Sequence, residues 1–497
     1  MPLSTTLGRG GLVLVAMLGL AACNGDKDGT TDTDTDTDTT DTPSETGDTG
    51  TTTTSHTGTP MPEVEWNDPL STPLEPTVDP RYADSAQECE TCHETHVEEW
   101  SQSLHAYAIT DPVYRAIVQI RQEDLGGMED RFCLQCHTTV GSRGGEVYAG
   151  FSFDDFSPIA QEGVNCVTCH KIDRVDRVNN AGHVLDLEGP MRGPIDDPDP
   201  SAFHESVSSP LFQEDSSQLC GSCHDVVETT GLNLERPYEE YVESPAFEAG
   251  TRCADCHMPY KGDGPIVQGG KDRPQHDHRF IGVDVPLQPG VLTPEQEQRL
   301  LEDTTRLLEG SVQLEVRVPE AIEQGDQLDV VLDVTNMIDA HNFPTGSTFI
   351  RQAWLEVIAT DAVGNELYAT GTLDENGDLR NAFSTLDPYG DDDLIVFTSS
   401  LVDIDGNPEI FSWKAEELWH NSLQPLHDRV FTLFVPTTEA VQGPITVSAR
   451  VRFRTHGPYL LRALGLDELV PRLHIVDIDV DQHEVELTPP DTTTGTK

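Results

Sequence analysis

Between residues 311 and 488 the apolar positions fall at every second residue. Val312, Leu314, Val316 and Val318 alternate with polar neighbours, as do Ala353, Leu355, Val357 and Ala359. The same spacing returns in Val447, Ala449, Val451 and Phe453 and again in Val476, Ile478 and Val480. A period of two marks strands with one buried face. Turn signals at Val363-Gly364-Asn365 and Asn376-Gly377-Asp378 separate them. No helix alternates with these strands, so the segment reads as an antiparallel β-sandwich and not as an α/β domain. Just upstream, over residues 291–310, the period lengthens. Leu300, Leu301, Leu307 and Leu308 share one face of a linking helix. Thr293-Pro294-Glu295-Gln296 is its capping signature and Gly310 its stop.

Over residues 81–290 neither period persists. The clearest helix carries Val97, Trp100, Leu104 and Ala108 at helical spacing, and Asp111-Pro112 is expected to end it. Residues 23–80 are of low complexity: Thr and Asp alternate through 31–42, and Thr51 to Thr54 is a homopolymer. Such a stretch cannot bury apolar surface, and its charges repel, so it reads as an extended disordered stalk. Residues 489–497 read as a disordered tail. Residues 1–22 carry Arg9 as their only charge and an apolar run from Leu12 to Leu20, ending in Leu20-Ala21-Ala22-Cys23. This is a secretory signal that resembles a bacterial lipobox, which implies cleavage before Cys23 and lipidation of that cysteine. No other stretch approaches a membrane span in length. The expected class is multidomain α+β: a mainly helical and loop-rich domain, a linking helix and a β-sandwich.

Charge narrows the partners. Asp and Glu number 88 against 30 Lys and Arg, a formal charge of −58 with pI near 4.3. Nucleic acid is excluded as a partner, and contact with a membrane would run through the lipid anchor.

The candidate chemistry lies in residues 89–257. Cys-x-x-Cys-His occurs there five times: Cys89, Cys92 and His93; Cys133, Cys136 and His137; Cys166, Cys169 and His170; Cys220, Cys223 and His224; Cys253, Cys256 and His257. A single Cys-x-x-Cys could be a zinc half-site, a redox dithiol or a short disulfide. A His after every copy points instead to covalent c-type haem, five in all. Two thiols three apart reach the two vinyl groups on one porphyrin edge, and the following imidazole binds iron from the proximal side. The motifs consume ten of the 11 cysteines, and Cys23 accounts for the last. Some 200 residues for five haems leave too little chain for a separate core around each, so the porphyrins themselves are expected to form the core.

The second axial position on each iron decides function. His96 follows His93 by three residues and, on a helix, stays on the same side of the first ring. His105 lies 12 residues beyond His93, about 18 Å along a helix, so it suits a different haem. His204 and His183 are further candidates. His276 and His278 are two apart, so only one can face a given ring. His341 sits in Ala340-His341-Asn342-Phe343-Pro344, where ligation would dock the β domain onto a haem. His420, His427, His456, His474 and His483 read as surface residues, and Met128 and Met191 as weaker alternatives to the histidines.

These residues also carry a resemblance. Cys89–His93 with Glu99-Trp100-Ser101-Gln102-Ser103-Leu104-His105-Ala106 resembles the opening of multihaem cytochromes c related to nitrite reductase and hydroxylamine oxidoreductase. Gly163-Val164-Asn165 before Cys166, Leu219 before Cys220, and His257-Met258-Pro259 with His278-Arg279-Phe280-Ile281-Gly282 beyond it fit the same group. The stretch from His341 through Arg351 and Trp354 is similar to one in β domains appended to its electron-transfer members. Over roughly residues 81–485 the resemblance implies distal ligation by His105, His204, His278 and His341, with only His183 offered for the fifth iron. The chain departs from the catalytic members: no motif ends in Lys, and no haem-linked tyrosine is identifiable.

The expected function is electron transfer through bis-His haems in a bacterial cell-envelope respiratory chain, with redox proteins of the envelope as partners. Asn24 after the lipidated cysteine favours the outer membrane. The alternative is a reductase of a small nitrogen oxyanion or hydroxylamine at one five-coordinate haem. A third reading makes the β domain a docking module.

Overall fold

The computed structural model describes residues 76–490 apart from 128, 129 and 268. The signal segment, Cys23, nearly all of the stalk, Met128 and most of the tail lie outside the described residues. Those that are described belong to one compact unit, and the mixture of helices and sheets makes the fold α+β.

Helix α1 (Ala86–Ser101) starts at a capping box formed by Ser85 and Glu88. The run expected from Val97 to Ala108 is broken: α1 ends at Ser101, and a separate turn, Leu104–Tyr107, starts with Ser103 capping Ala106 N. Asp111-Pro112 does not end that run but begins the next helix, α2 (Pro112–Leu125). There the Asp111 carboxylate accepts from Val113 N and Pro112 fills the first position, where no amide hydrogen is needed. Of the short helices that follow, four carry the remaining motifs: α3 (Arg131–His137), α4 (Cys166–His170), α5 (Ser216–His224) and α6 (Cys253–His257). Between them lie two-stranded ribbons such as Ile172–Val175 with His183–Leu185, and Tyr260–Pro265 with Asp272–His276. Helix α7 (Pro294–Glu309) begins at the Thr293–Gln296 capping box and buries Leu300, Thr304 and Leu308.

Of the eleven strands that follow α7 among the described residues, eight form two facing sheets: β1 (Val312–Arg317), β2 (Ala321–Glu323), β3 (Leu328–Asn336), β4 (Gln352–Thr360), β5 (Glu366–Thr370), β6 (Asp428–Val435), β7 (Ile445–Arg454) and β8 (Val476–Thr488). One sheet runs β2-β8-β7-β4-β5 and the other β6-β3-β1. Their facing side chains make one core, with Leu314, Leu332 and Leu433 from one sheet against Leu355, Val451 and Ile478 from the other. Register follows the alternation, with Leu355 opposite Val451 and Leu332 opposite both Val316 and Phe431. The all-antiparallel expectation fails at the edge, where β2 runs parallel to β8. Strand β4 departs from simple alternation, since Gln352 to Val357 are all buried. Its outward Trp354 is fully buried, donates to Gly371 O at 2.9 Å and lies under Arg452 and Arg454. Among the described residues no helix is long and apolar enough to cross a membrane.

Among the contacts that join the helical region to the strands, two centre on buried or half-buried carboxylates. Arg121 of α2 donates to Glu228, whose carboxylate also accepts from Ser412 Oγ at 2.7 Å. Glu240 accepts from Asn342 Nδ2 at 2.8 Å and from Thr345 Oγ1 at 2.5 Å, which fixes the loop carrying His341.

Candidate haem-binding cavity

Each motif uses one local device. A helical turn carries the two cysteines to the same side, and regular helix then stops at the histidine. Helices α3, α4, α5 and α6 all end on their motif histidine. In α1 the helix continues, but His93 itself leaves helical geometry (φ −114°, ψ 40°). Releasing the backbone there lets the imidazole turn away from the thiols. Asn165 caps α4 by accepting from Thr168 N at 3.2 Å, which sets the third motif in place.

All ten motif cysteines and all five motif histidines line one connected cavity of about 2010 Å³. Thiols of different motifs approach within hydrogen-bond reach: Cys89 with Cys166, Cys136 with Cys223, and Cys220 with Cys253. The first motif is therefore beside the third, and the fourth beside both the second and the fifth. All ten thiols are free of disulfides.

Across this cavity imidazoles face one another. His93 and His204 have ring centres 6.3 Å apart and planes at 26°. His257 and His341 stand at 6.4 Å and 20°, and His224 and His105 at 6.1 Å and 59°. Two imidazoles on opposite faces of one metal ion should be roughly 6.3 Å apart, from metal–nitrogen bonds of about 2.0–2.1 Å plus about 1.1 Å to each ring centre. Direct contact between two rings would be shorter. Donor set, spacing and cavity thus fit c-type haem.

The second ring nitrogen is committed in nearly every case, which fixes tautomer and ring plane as in other metal sites. Nδ1 of His93 pairs with Ile266 O at 3.3 Å, His170 with Arg192 O at 2.7 Å, and His257 with Ile281 O at 2.8 Å. His341 Nδ1 pairs with Asn342 O at 2.9 Å and His204 Nδ1 with Ser206 Oγ at 3.1 Å. His105 is placed by close backbone packing instead: its carbonyl accepts from Val164 N at 3.0 Å, and a Cβ on Gly163 (φ +69°) would come within 2.7 Å of it. Burial pushes His105 and His341 down to about 4, so both are uncharged at neutral pH with a lone pair for metal.

Two motif histidines lack such an opposite ring among the described residues. His137 donates from Nδ1 to Ala108 O at 2.9 Å, and its ring lies flat against Tyr114, centres 3.9 Å apart at 8°. The Tyr114 hydroxyl is buried with no hydrogen-bond partner. His170 stacks on Phe212 at 4.9 Å. His278 and His96 both lie near His170, and their own rings meet edge to face at 4.8 Å.

The other candidates separate clearly. His183 is 2 % exposed; Nδ1 meets Ser222 Oγ at 3.0 Å, and Nε2 is buried without a partner. His276 bonds Met258 O at 2.7 Å and packs on Tyr260. Met191 packs into an apolar cluster with Ile172 and Leu211. His456 was expected at the surface and is instead buried in the cavity wall. His96 stands edge-on to His93 at 6.1 Å and meets His278, while His204 takes the place opposite His93. Tyr114 and His456 carry no motif that could have flagged them.

A model of the family "Cytochrome c554 and c-prime" matches residues 88–171. The penta-heme cytochrome c552 from Thermochromatium tepidum has a similar fold, at TM-score 0.58 and 19% identity over 82% of this chain and 100% of that one. The CARDB domain of the PF1109 protein from Pyrococcus furiosus aligns over 36% of this chain and 87% of its own, at 13% identity. Beta-glucosidase from Listeria innocua aligns over 36% of this chain and 16% of its own, at 15% identity. The last two, each at TM-score 0.15, carry no argument. No curated protein matches the chain.

Proposed function

We propose that this protein, a multihaem cytochrome c that binds haem c, holds one haem at each of its five motifs and serves as an electron carrier. Bound haem supplies a one-electron iron couple, and closely spaced haems pass electrons by short hops. The chain's part is to close the irons. His204, His105 and His341 stand opposite His93, His224 and His257, leaving no open coordination position at those three motifs. For His170 the assignment is His278, with His276 turned away to Met258 O. For His137 the sequence offers His183, whose Nε2 is buried, unpartnered and at the cavity wall. Pairs of neutral imidazoles keep iron low-spin and favour lower potentials than His/Met ligation.

The observation that carries this reading is the 6.1–6.4 Å separation of three imidazole pairs across a cavity lined by every motif. We place the chain in the nitrite reductase and hydroxylamine oxidoreductase lineage as a pentahaem electron-transfer member. Its strands form a β-sandwich that contributes the ligand His341. The signal segment and Cys23 support a lipid-anchored protein of a bacterial outer membrane, with redox proteins of the envelope as donor and acceptor. His341→Met tests the ligand set. The haem count should stay at five while one midpoint potential rises; unchanged potentials and spectra would remove His341 from the ligands.

A second reading rests on His137, which has Tyr114 beside it and no imidazole opposite among the described residues. If His183 does not reach that iron, a small nitrogen oxyanion or hydroxylamine could bind there and be reduced by electrons from the other motifs. That reading requires a high-spin ferric signal from one iron per chain and turnover with a reduced dye.

A further inference from the structure

Four ionisable side chains from separate segments line the cavity outside the motifs and lie within electrostatic reach of their neighbours: Asp111, Asp284, Arg351 and His456. Asp111 caps α2, accepting from Val113 N at 2.9 Å. Both terminal nitrogens of Arg351, just before β4, donate to the Asp284 carboxylate, one of them at 2.6 Å. Arg351 also donates to Thr455 O at 3.3 Å, and His456 Nδ1 meets Thr455 Oγ1 at 3.1 Å. Asp284 thus occupies the guanidinium, and Asp111 is left with backbone amides.

Burial, with Asp284 nearby, pushes Asp111 up to about 6, against the pull of the Val113 and Tyr114 amides and of Arg351. His456 is pushed down to about 4 by burial and by Arg351, and Arg351 holds Asp284 below the usual carboxylate range. Tyr107 and Tyr114, raised by burial, stay protonated, with Arg115 and Arg472 near Tyr107. Asp111 is therefore the member of the cluster poised to titrate near neutral pH. It also lies on the segment that cradles His137: Ala108 O meets that imidazole at 2.9 Å and Tyr114 stacks on it.

We propose that Asp111 is a proton-binding site linked to the redox state of the iron at the second motif, so that electron transfer through this cavity is accompanied by proton uptake. The proposal rests on the haem reading above. One electron from a donor protein converts ferric to ferrous iron, and the added negative charge raises the proton affinity of a nearby buried carboxylate. A proton from solvent then converts the Asp111 carboxylate to the acid, and reoxidation returns it. Linkage makes the effect reciprocal: protonated Asp111 favours the reduced iron.

The test is potentiometric titration of the whole haem-loaded protein from pH 5 to 8, comparing wild type with Asp111→Asn. Asparagine caps a helix about as well as aspartate, so α2 keeps its start. In wild type at least one midpoint should fall as pH rises from about 5 to 7, and in Asp111→Asn that slope should be lost with haem content unchanged. The same slope in the variant, or a flat wild type, overturns the proposal. In Asp284→Asn the freed Arg351 should stabilise the Asp111 carboxylate and move the slope to lower pH; an unmoved slope also overturns it. Absence of covalent haem would defeat the haem reading itself, whereas five haems with pH-independent potentials would defeat only the proton site.

Discussion

Arg121 and Glu228 have side chains 3% and 0% exposed and meet at 2.7 Å, with Arg121 also over the Phe132 ring. A buried pair is stabilising only while complete. Arg121→Leu alone should lower unfolding free energy by about 3–5 kcal/mol, because it strands the carboxylate, and replacing both residues with leucine should recover most of that loss. Denaturant titration of the two variants measures the difference. His456 gives a pH effect of known sign. It stays uncharged when folded down to about 4, whereas its ordinary value is 6.5. The unfolded chain therefore binds a proton first, and stability should fall as pH drops from 6.5 toward 4. His456→Gln should flatten that part of the profile of denaturant midpoint against pH. Among single residues the sequence was legible where a motif has fixed spacing, as at the ten motif cysteines, which all line one cavity. It was not legible for Asp111, Asp284, Arg351 and His456, whose meeting depends on four segments packing together.

Among the elements, local signals were readable where local forces decide. Thr293-Pro294-Glu295-Gln296 marks the start of α7, and the capping box is present. Thr293→Ala should cost about 1 kcal/mol, read as a lower thermal midpoint with haem spectra unchanged. The alternation in β1, β3 and β7 is equally direct, since each buries every second residue against the opposite sheet. The run from Val97 to Ala108 misled because apolar spacing survives across a break. Ser103 caps a new turn there, and Gly163 packs under His105, so tertiary contacts override the period. The parallel edge strand β2 carries too few residues, Ala321–Glu323, to reveal its direction by pattern.

For the whole molecule, the cavity takes its wall from both the helical region and the strands. His341, Arg351 and His456 all come from the C-terminal sheets or their loops. The grouping of each motif histidine with its thiols was readable because they are adjacent in sequence. Their opposite partners are not: His105 and His224 are far apart in the chain, as are His257 and His341. Only the folded arrangement brings their rings to within 6.1 and 6.4 Å. Near-infrared magnetic circular dichroism of the oxidised, haem-loaded protein distinguishes bis-imidazole iron from His/Met and from high-spin iron. At least three bis-imidazole low-spin irons per chain are predicted, belonging to His93/His204, His224/His105 and His257/His341. A spectrum with fewer than three such irons, or one dominated by His/Met or high-spin signals, would contradict axial closure by these pairs.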